Sequence, residues 1–224
     1  RVDYIFNNID NFEILLNKIN VAILNRVDYI FNNINKYPEL KGQLASFKYD
    51  GAKGNAYASC RTLTGEIQTH KMFANYDKLV QNYASDVAAG FHPVGTDHNS
   101  IIVHELGHAL DGYMTKKKLL GADYNSYGVL HSASQTAKDM TLKFLGFDRQ
   151  EIAIELKSQG LTLSQRRDIL NEREKEFIAK HISKYAAENE KEFFAECFAE
   201  YVTSDKPREA AKIFGEIIDK ALGR

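Results

Sequence analysis

The sequence lacks the features of a disulfide-stapled protein and of a membrane protein. Its 224 residues include no tryptophan, three prolines and two cysteines, Cys60 and Cys197, which form no CxxC motif. Two such cysteines exclude a disulfide framework, and Cys197, set among phenylalanines, is predicted to be a small buried hydrophobe. No apolar run approaches the roughly 20 residues of a membrane-spanning helix, and no signal-peptide pattern is present.

A strong net charge of either sign is also missing. Lysine and arginine number 29 against 30 aspartates and glutamates, which gives a net charge of −1. Because the signs are interspersed, we predict neither a nucleic-acid partner nor a membrane partner, and the lysine run at 116–118 is predicted to be a solvated loop. The composition is that of a soluble globular protein. Since the chain begins at Arg1 without methionine, we expect a fragment or a processed product.

A near-perfect repeat occupies the first part of the chain. The decapeptide RVDYIFNNID at 1–10 returns as RVDYIFNNIN at 26–35. Apolar residues there recur at alternating steps of three and four, which predicts an amphipathic helix, either one rod or two antiparallel pieces. We therefore divide the chain into an N-terminal helical segment, 1–45, and a main domain, 46–224. The segment either packs on the main domain or mediates self-association or docking.

The main domain is predicted to begin with strands. Residues 46–73 contain β-favouring runs separated by glycine-containing turns, which predicts three short strands in a meander. The last of them, Glu66–Phe73, is either an internal strand or an exposed edge on which an extended peptide can lie.

Helices are predicted to follow the strands. Residues 75–89 form an apolar-sided helix with a glycine as its stop, and 131–181 give two or three helices broken at two further glycines. His92 and His98 lie in the loop between the first helix and the next one. Loop histidines of this kind could offer a metal ligand, but we predict that they face solvent.

The most specific motif is HELGH, in which His104, Glu105 and His108 stand within SIIVHELGHALDGYM. The segment is predicted to be one helix, with Thr96 or Asp97 as its cap. Residues four apart share a helix face, so the two histidines can direct their imidazoles at one point with Glu105 beside them. This arrangement suits zinc-dependent hydrolysis, which needs nitrogen ligands and a carboxylate that can accept a proton from water.

A catalytic zinc site needs a third protein ligand, and the best source is the segment SKYAAENEKEFFAECFAEYV. Asn189 is predicted to start a helix on which Glu192, Glu196 and Glu200 recur every fourth residue beside aromatic side chains. Carboxylates on so apolar a face need a compensating cation or hydrogen bonds. Glu192 could be a ligand and Glu196 the partner that orients a ligand histidine. From spacing alone an alternative stays open, in which Glu192 only caps its helix and Glu196 faces water.

The two motifs together resemble the zincin catalytic domain of the anthrax toxin lethal factor family. That family is similar to the secreted Pro-Pro endopeptidases and to domains of phage head morphogenesis proteins. The resemblance covers roughly residues 60–220 and includes a tyrosine seven residues before Glu192. It implies an α+β, zincin-like fold, with a small, mostly antiparallel sheet packed on helices. It also implies His104, His108 and Glu192 as Zn²⁺ ligands, Glu105 as general base, and Tyr185 as a hydrogen-bond donor to the developing oxyanion.

We therefore predict a zinc-dependent endopeptidase of the gluzincin type that acts on a protein or peptide substrate. Asp111, one turn beyond His108, is predicted either to tie down the helix end or to support a ligand. Tyr185 has the plainer alternative of a half-buried aromatic residue with its hydroxyl in water.

The competing hypothesis is a non-catalytic zincin-like module of a phage or mobile-element structural protein. In that case the metal would stabilise the fold and the N-terminal helix would mediate assembly. Glu105 and Tyr185 favour the enzyme, because a purely structural site needs neither. The resemblance extends to secreted and to phage proteins alike, so the cellular location stays open between them.

Overall fold

A computed structural model describes residues 35–49, 52, 54, 56–126 and 128–224. Within them helices dominate and the strands form two small sheets, so the predicted mixture of helices with small sheets is confirmed. The strands are β1 (Ser46–Tyr49), β2 (Ala58–Arg61), β3 (Glu66–Thr69), β4 (Asp123–Asn125) and β5 (Gly128–His131). The α-helices are α1 (Tyr76–Ala88), α2 (Ser100–Lys116), α3 (Ala133–Phe144), α4 (Arg149–Ser158), α5 (Leu163–His181), α6 (Glu190–Thr203) and α7 (Glu209–Ala221).

Most of the predicted N-terminal helix, residues 1–34, lies outside the described residues. From residue 37 onward the chain contributes to the main core, since Tyr37 and Leu40 are fully buried. Leu40 lies in a short 3₁₀ turn, Pro38–Gly42, and the ring of Tyr37 packs edge-on against Phe198 at a centroid distance of 5.0 Å. The boundary between residues 45 and 46 stays a prediction.

The first sheet has the order β1-β3-β2, with β1 parallel and β2 antiparallel to β3. The predicted meander is wrong, because the tight turn between β2 and β3 leaves β1 to pair on the other side of β3. That turn ends at Gly65, which has a φ of +66° and whose Cβ would collide with the carbonyl oxygen of Gln43. Of the two predicted possibilities for β3, the internal strand is confirmed and the exposed edge is not. The edge on the side away from β1 is β2.

Helix α2 is the centre of the fold, and nearly all of its residues are buried. Gly107 lets it approach α6 closely, because a Cβ there would lie 3.0 Å from the Cα of Ala195. Gly112 does the same toward the β2–β3 turn, where a Cβ would lie 1.8 Å from the carbonyl oxygen of Thr62. These two contacts fix the motif helix between α6 and the sheet.

The ends of the helices agree with the sequence in part. Helix α1 ends before Gly90, which has a φ of +72°, and the three helices α3 to α5 are separated at glycines as predicted. Neither Thr96 nor Asp97 caps α2, because the cap position belongs to Asn99. The lysine run at 116–118 is exposed, as predicted, but it begins within the last turn of α2. The chain after it forms the β4–β5 hairpin.

The remaining core is built by α6 and α7. Four phenylalanines from these helices are fully buried, and the rings of Phe194 and Phe214 meet edge-on at 4.8 Å. Cys197 is buried beside them without a disulfide, as predicted. None of the helices in the described part of the chain is long and apolar enough to cross a membrane.

Candidate metal centre

Three side chains from α2 and α6 converge on one point. One ligand atom each from His104, His108 and Glu192 lies within 4.8 Å of the other two, and among the described residues these three form the group suited to hold a metal ion. Glu192 Oε2 lies 3.1 Å from Nε2 of His104 and 3.4 Å from Nε2 of His108. The structure thus brings together the three residues that the sequence suggested as ligands.

These distances fit a shared cation. Zinc ligands lie about 2.0–2.1 Å from the ion in a tetrahedron, which places neighbouring ligand atoms about 3.3 Å apart. Glu192 Oε2 is buried at this position and has no hydrogen-bond partner among the described residues. A buried carboxylate oxygen without a hydrogen bond is costly, and a cation between it and the two imidazoles would satisfy it. Two imidazole nitrogens and a carboxylate oxygen are also the donor types that zinc accepts.

Helix α6 carries its glutamates at the predicted places. Asn189 caps the helix, because its side chain accepts hydrogen bonds from the backbone N–H groups of Lys191 and Glu192. The cap is therefore made by Asn189, which leaves the carboxylate of Glu192 free to face α2. Although burial alone would raise its pKa, the two neighbouring imidazoles hold the pKa of Glu192 well below the usual value.

Glu196 lies behind His104, on the side away from Glu192. Its Oε1 is 2.8 Å from Nδ1 of His104, and its Oε2 accepts a hydrogen bond of 2.8 Å from the hydroxyl of Ser183. Burial opposes ionisation, but hydrogen bonds from His104 and His92 lower the pKa of Glu196 to about 2. Burial alone would lower the pKa of His104, but its contacts with Glu192 and Glu196 raise that pKa well above its usual value. Glu196 is placed to fix the orientation of the His104 ring.

Glu105 and Tyr185 line the same cavity. This cavity has a volume of about 660 Å³ and extends from His104 toward Tyr57 at the start of β2. Glu105 is 4% exposed, one of its carboxylate oxygens has no partner in the described part of the chain, and burial raises its pKa. Tyr185 stacks on the ring of His104 at 5.6 Å. Burial and the charge of Glu192 raise the pKa of Tyr185, so its hydroxyl stays protonated and can donate a hydrogen bond.

Asp111 has other partners than the predicted metal ligands. Its Oδ1 accepts hydrogen bonds from the backbone N–H of Ser134 and the hydroxyl of Thr115, at 2.9 and 3.3 Å. The bond from Ser134 ties the end of α2 to the start of α3, which is one of the two predicted possibilities. Nδ1 of His108 has no hydrogen-bond partner among the described residues, so support of a ligand by Asp111 is not observed.

A comparison with known families decides the relationship. The family model described as "Anthrax toxin lethal factor, N- and C-terminal domain" matches residues 91–213, just over half of the chain. The chain belongs to the anthrax toxin lethal factor family. Searches of curated proteins and of solved structures gave no match. The matched range contains all three converging side chains of this lethal factor family member, and the family is associated with zinc metalloproteases.

In this lethal factor family member the sequence reasoning missed two residues. His92 was predicted to face solvent, but it is 7% exposed and contacts Glu196. The second is Ser183, whose hydroxyl donates to Glu196 and which no motif in the sequence marks. His98 meets the ring of Tyr76 edge-on at 5.2 Å and does not reach the metal centre. No local pattern separates His92 from His98, because the difference depends on which part of the loop lies against α6.

Proposed function

We propose that the protein is a zinc-dependent endopeptidase. The observation that carries the proposal is the convergence of two imidazole nitrogens and a carboxylate oxygen from distant parts of the chain on one point beside a cavity. His104, His108 and Glu192 would hold the ion, and membership of the lethal factor family supports zinc as its identity. A zinc ion with three protein ligands supplies Lewis acidity and lowers the pKa of water to about 7.

The surrounding residues fit the proton transfers of peptide hydrolysis. Glu105 would accept a proton from the attacking water as the oxygen bonds to the peptide carbon, and pass it to the amine nitrogen as the C–N bond breaks. Its raised pKa and its unpartnered, buried oxygen suit a proton acceptor. The hydroxyl of Tyr185 would donate a hydrogen bond to the oxygen of the tetrahedral intermediate.

The cavity and the sheet suggest how a peptide would bind. Strand β2 is an edge of its sheet, and Tyr57 and Ala58 at its start line the cavity that also contains His104 and Glu105. An edge strand offers unpaired N–H and C=O groups to an extended chain. A substrate strand beside β2 would therefore bring its backbone past the metal centre. This agrees with a protein or peptide substrate rather than a small molecule.

The decisive experiment combines metal analysis with digestion of a peptide library. The wild-type protein is expected to bind one zinc ion per chain and to cleave internal peptide bonds, and chelation followed by zinc addition is expected to remove and restore cleavage. Glu105→Gln should keep its zinc while turnover falls by about 10²–10⁴-fold, the usual contribution of a general base. A neighbouring control is Asp123→Asn, an exposed carboxylate in β4.

The outcomes separate the two hypotheses about this chain. Unchanged turnover in Glu105→Gln would contradict the general-base role. Stoichiometric zinc without cleavage of any library peptide would contradict the peptidase and favour the non-catalytic structural module.

A further inference from the structure

His92 is a buried imidazole beside the metal centre to which the proposed function assigns no role. Its Nδ1 lies 3.2 and 3.3 Å from the two carboxylate oxygens of Glu196. Its Nε2 is buried and has no hydrogen-bond partner in the described part of the chain. Burying an imidazole costs free energy unless its polar atoms are satisfied, so the contact with Glu196 is the interaction that compensates its position.

The ring of His92 is held from several sides. It stacks on Tyr83 of α1 at a centroid distance of 4.8 Å and an angle of 13°, and it meets Tyr185 edge-on at 5.7 Å. The backbone just before it is fixed as well, because the N–H of Tyr185 donates to the carbonyl of Phe91 at 3.1 Å. The position of His92 is thus set by α1 and by the segment that carries Tyr185.

The contacts of Glu196 show what this position achieves. His104 can bind a cation through Nε2 only if its proton lies on Nδ1, where Oε1 of Glu196 accepts it at 2.8 Å. The hydroxyl of Ser183 holds Oε2 at 2.8 Å, and Nδ1 of His92 lies between the two oxygens. Two donors besides His104 therefore fix the rotation of the carboxylate.

We propose that His92 is a positioning residue of the metal centre. Its Nδ1–H holds the carboxylate of Glu196 in the orientation in which Oε1 accepts the proton of His104, and so it preorganises the His104 ring for the ion. The proposal rests on the proposed function only in taking zinc as the ion. Because His92 acts through Glu196 and His104, its effect is on the affinity for the metal.

The test is the affinity of the full chain for Zn²⁺, measured by competition with a chromophoric chelator and without any substrate. His92→Phe keeps an aromatic ring against Tyr83 but removes the donor, and is expected to weaken binding about 10-fold, the lower limit for residues that support a ligand. His92→Asn keeps an N–H near the position of Nδ1 and is expected to stay within about 3-fold of the wild type. His92→Gln places its amide one bond too far and should resemble His92→Phe.

Two further variants distinguish positioning from simple packing. His98→Phe, in the same loop but away from the metal centre, should bind zinc like the wild type. Glu196→Gln should weaken binding about 10–100-fold. Adding His92→Phe to Glu196→Gln should cause little further loss, because both changes act on the same hydrogen bond to His104, whereas a packing role would make the losses additive.

Each outcome bears on the proposal. Equal affinity of His92→Phe and the wild type, additive losses in the double variant, or equal behaviour of His92→Asn and His92→Gln would overturn it. Circular dichroism of the metal-free variants checks folding, and if His92→Phe fails to fold, the comparison of asparagine with glutamine decides. Zinc binding without peptide cleavage would contradict the proposed function and leave this inference standing, while cleavage with unchanged affinities in the variants would contradict only this inference.

Discussion

Two glutamates one turn apart on α6 are both buried, but they are satisfied in different ways. Glu200 is fully buried and receives hydrogen bonds from the backbone N–H, Nε and Nη2 of Arg208, at 2.8, 2.9 and 2.7 Å. Glu196 is 1% exposed and receives its hydrogen bonds from two imidazoles and a serine hydroxyl. The contact of Glu200 is an ion pair with an arginine, whose charge is permanent. That of Glu196 leads through His104 to the metal centre.

The difference lies in what remains on the partner. A guanidinium carries donors only and keeps its charge at every relevant pH. It can therefore satisfy the hydrogen-bond acceptors of a carboxylate, but it has no lone pair with which to bind a metal ion. An imidazole that donates from Nδ1 still has a lone pair on Nε2, which can bind an ion. In the described part of the chain the ion-pair partners of Glu192 and Glu196 are histidines. We call the part of α6 that carries Glu192 and Glu196 its metal end, and the part that carries Glu200 its structural end.

The largest effect is expected at the metal end. Glu192→Ala removes one of three ligands, so zinc affinity should fall by orders of magnitude, well beyond the about 10–100-fold loss expected for residues that only support a ligand. Dialysis against a mild chelator followed by metal analysis measures this. Glu188→Ala, an exposed glutamate just before the helix, is the matched control. Wild-type zinc retention by Glu192→Ala would point to Glu196 as the ligand instead.

At the structural end the effect should be on stability. Glu200→Gln leaves the charge of Arg208 without its buried partner, which is expected to cost about 3 kcal/mol in the free energy of unfolding. Denaturant unfolding of the metal-free protein measures it, with Glu209→Gln at the exposed start of α7 as control. Zinc affinity of the folded protein should be unchanged. A selective loss of zinc affinity at full stability would show that the two ends are not separate.

How much of this comparison the sequence predicts depends on whether a pattern is local. The spacing of His104 and His108 fixes both side chains on one helix face, and Asn189 before the helix of Glu192 is a local cap signal, so these features were predictable. The regular spacing of the three glutamates does not reveal that Glu200 differs from the others. Its partner Arg208 follows eight residues later, and only the turn between α6 and α7 brings the two together.

Features that depend on long-range packing were predicted less well. The predicted order of the strands in the first sheet was wrong because three short strands contain no local information on which of them pair. The prediction that His92 faces solvent was wrong for the same reason, since its partner Glu196 lies 104 residues away in the sequence. The small residues that permit close approach, such as Gly107 against Ala195, are visible in the sequence, but their neighbours are not.

Tyr185→Phe tests whether the metal end extends to the substrate. Removing one donor to an oxyanion usually costs about 10²-fold or more in turnover, so the variant should retain its zinc and lose about this much activity. Steady-state cleavage of a library-derived peptide, with metal analysis of the same sample, measures both. Tyr113→Phe, a half-buried tyrosine on α2, serves as control. An unchanged rate would return Tyr185 to a purely packing role against His104.

The smallest effect is expected at another buried glutamate, Glu174, which resembles Glu200. Glu174 is 7% exposed and pairs with Lys138 at 2.9 Å and with Arg149. Burial opposes its ionisation, but the two cations hold the pKa of Glu174 below the usual value. Because the folded-state pKa is the lower one, the pair stabilises the protein above the unfolded-state pKa of about 4.3, and this contribution is lost as the pH falls through the folded-state value.

Glu174→Gln should therefore lower the free energy of unfolding at pH 7 by about 1 kcal/mol, since one of its two cations, Arg149, is partly exposed to solvent. The difference from the wild type should shrink as the pH falls below about 4.3, where the carboxylate of the unfolded chain takes up its proton, and should vanish below the lower folded-state pKa. Urea unfolding of the metal-free protein at several pH values measures this, with the exposed Glu172→Gln as control. A difference that stays constant down to pH 3 would mean that shape, rather than charge, is what Glu174 contributes. In that case Glu174 and Glu200, although both pair with arginines, would stabilise the protein in different ways.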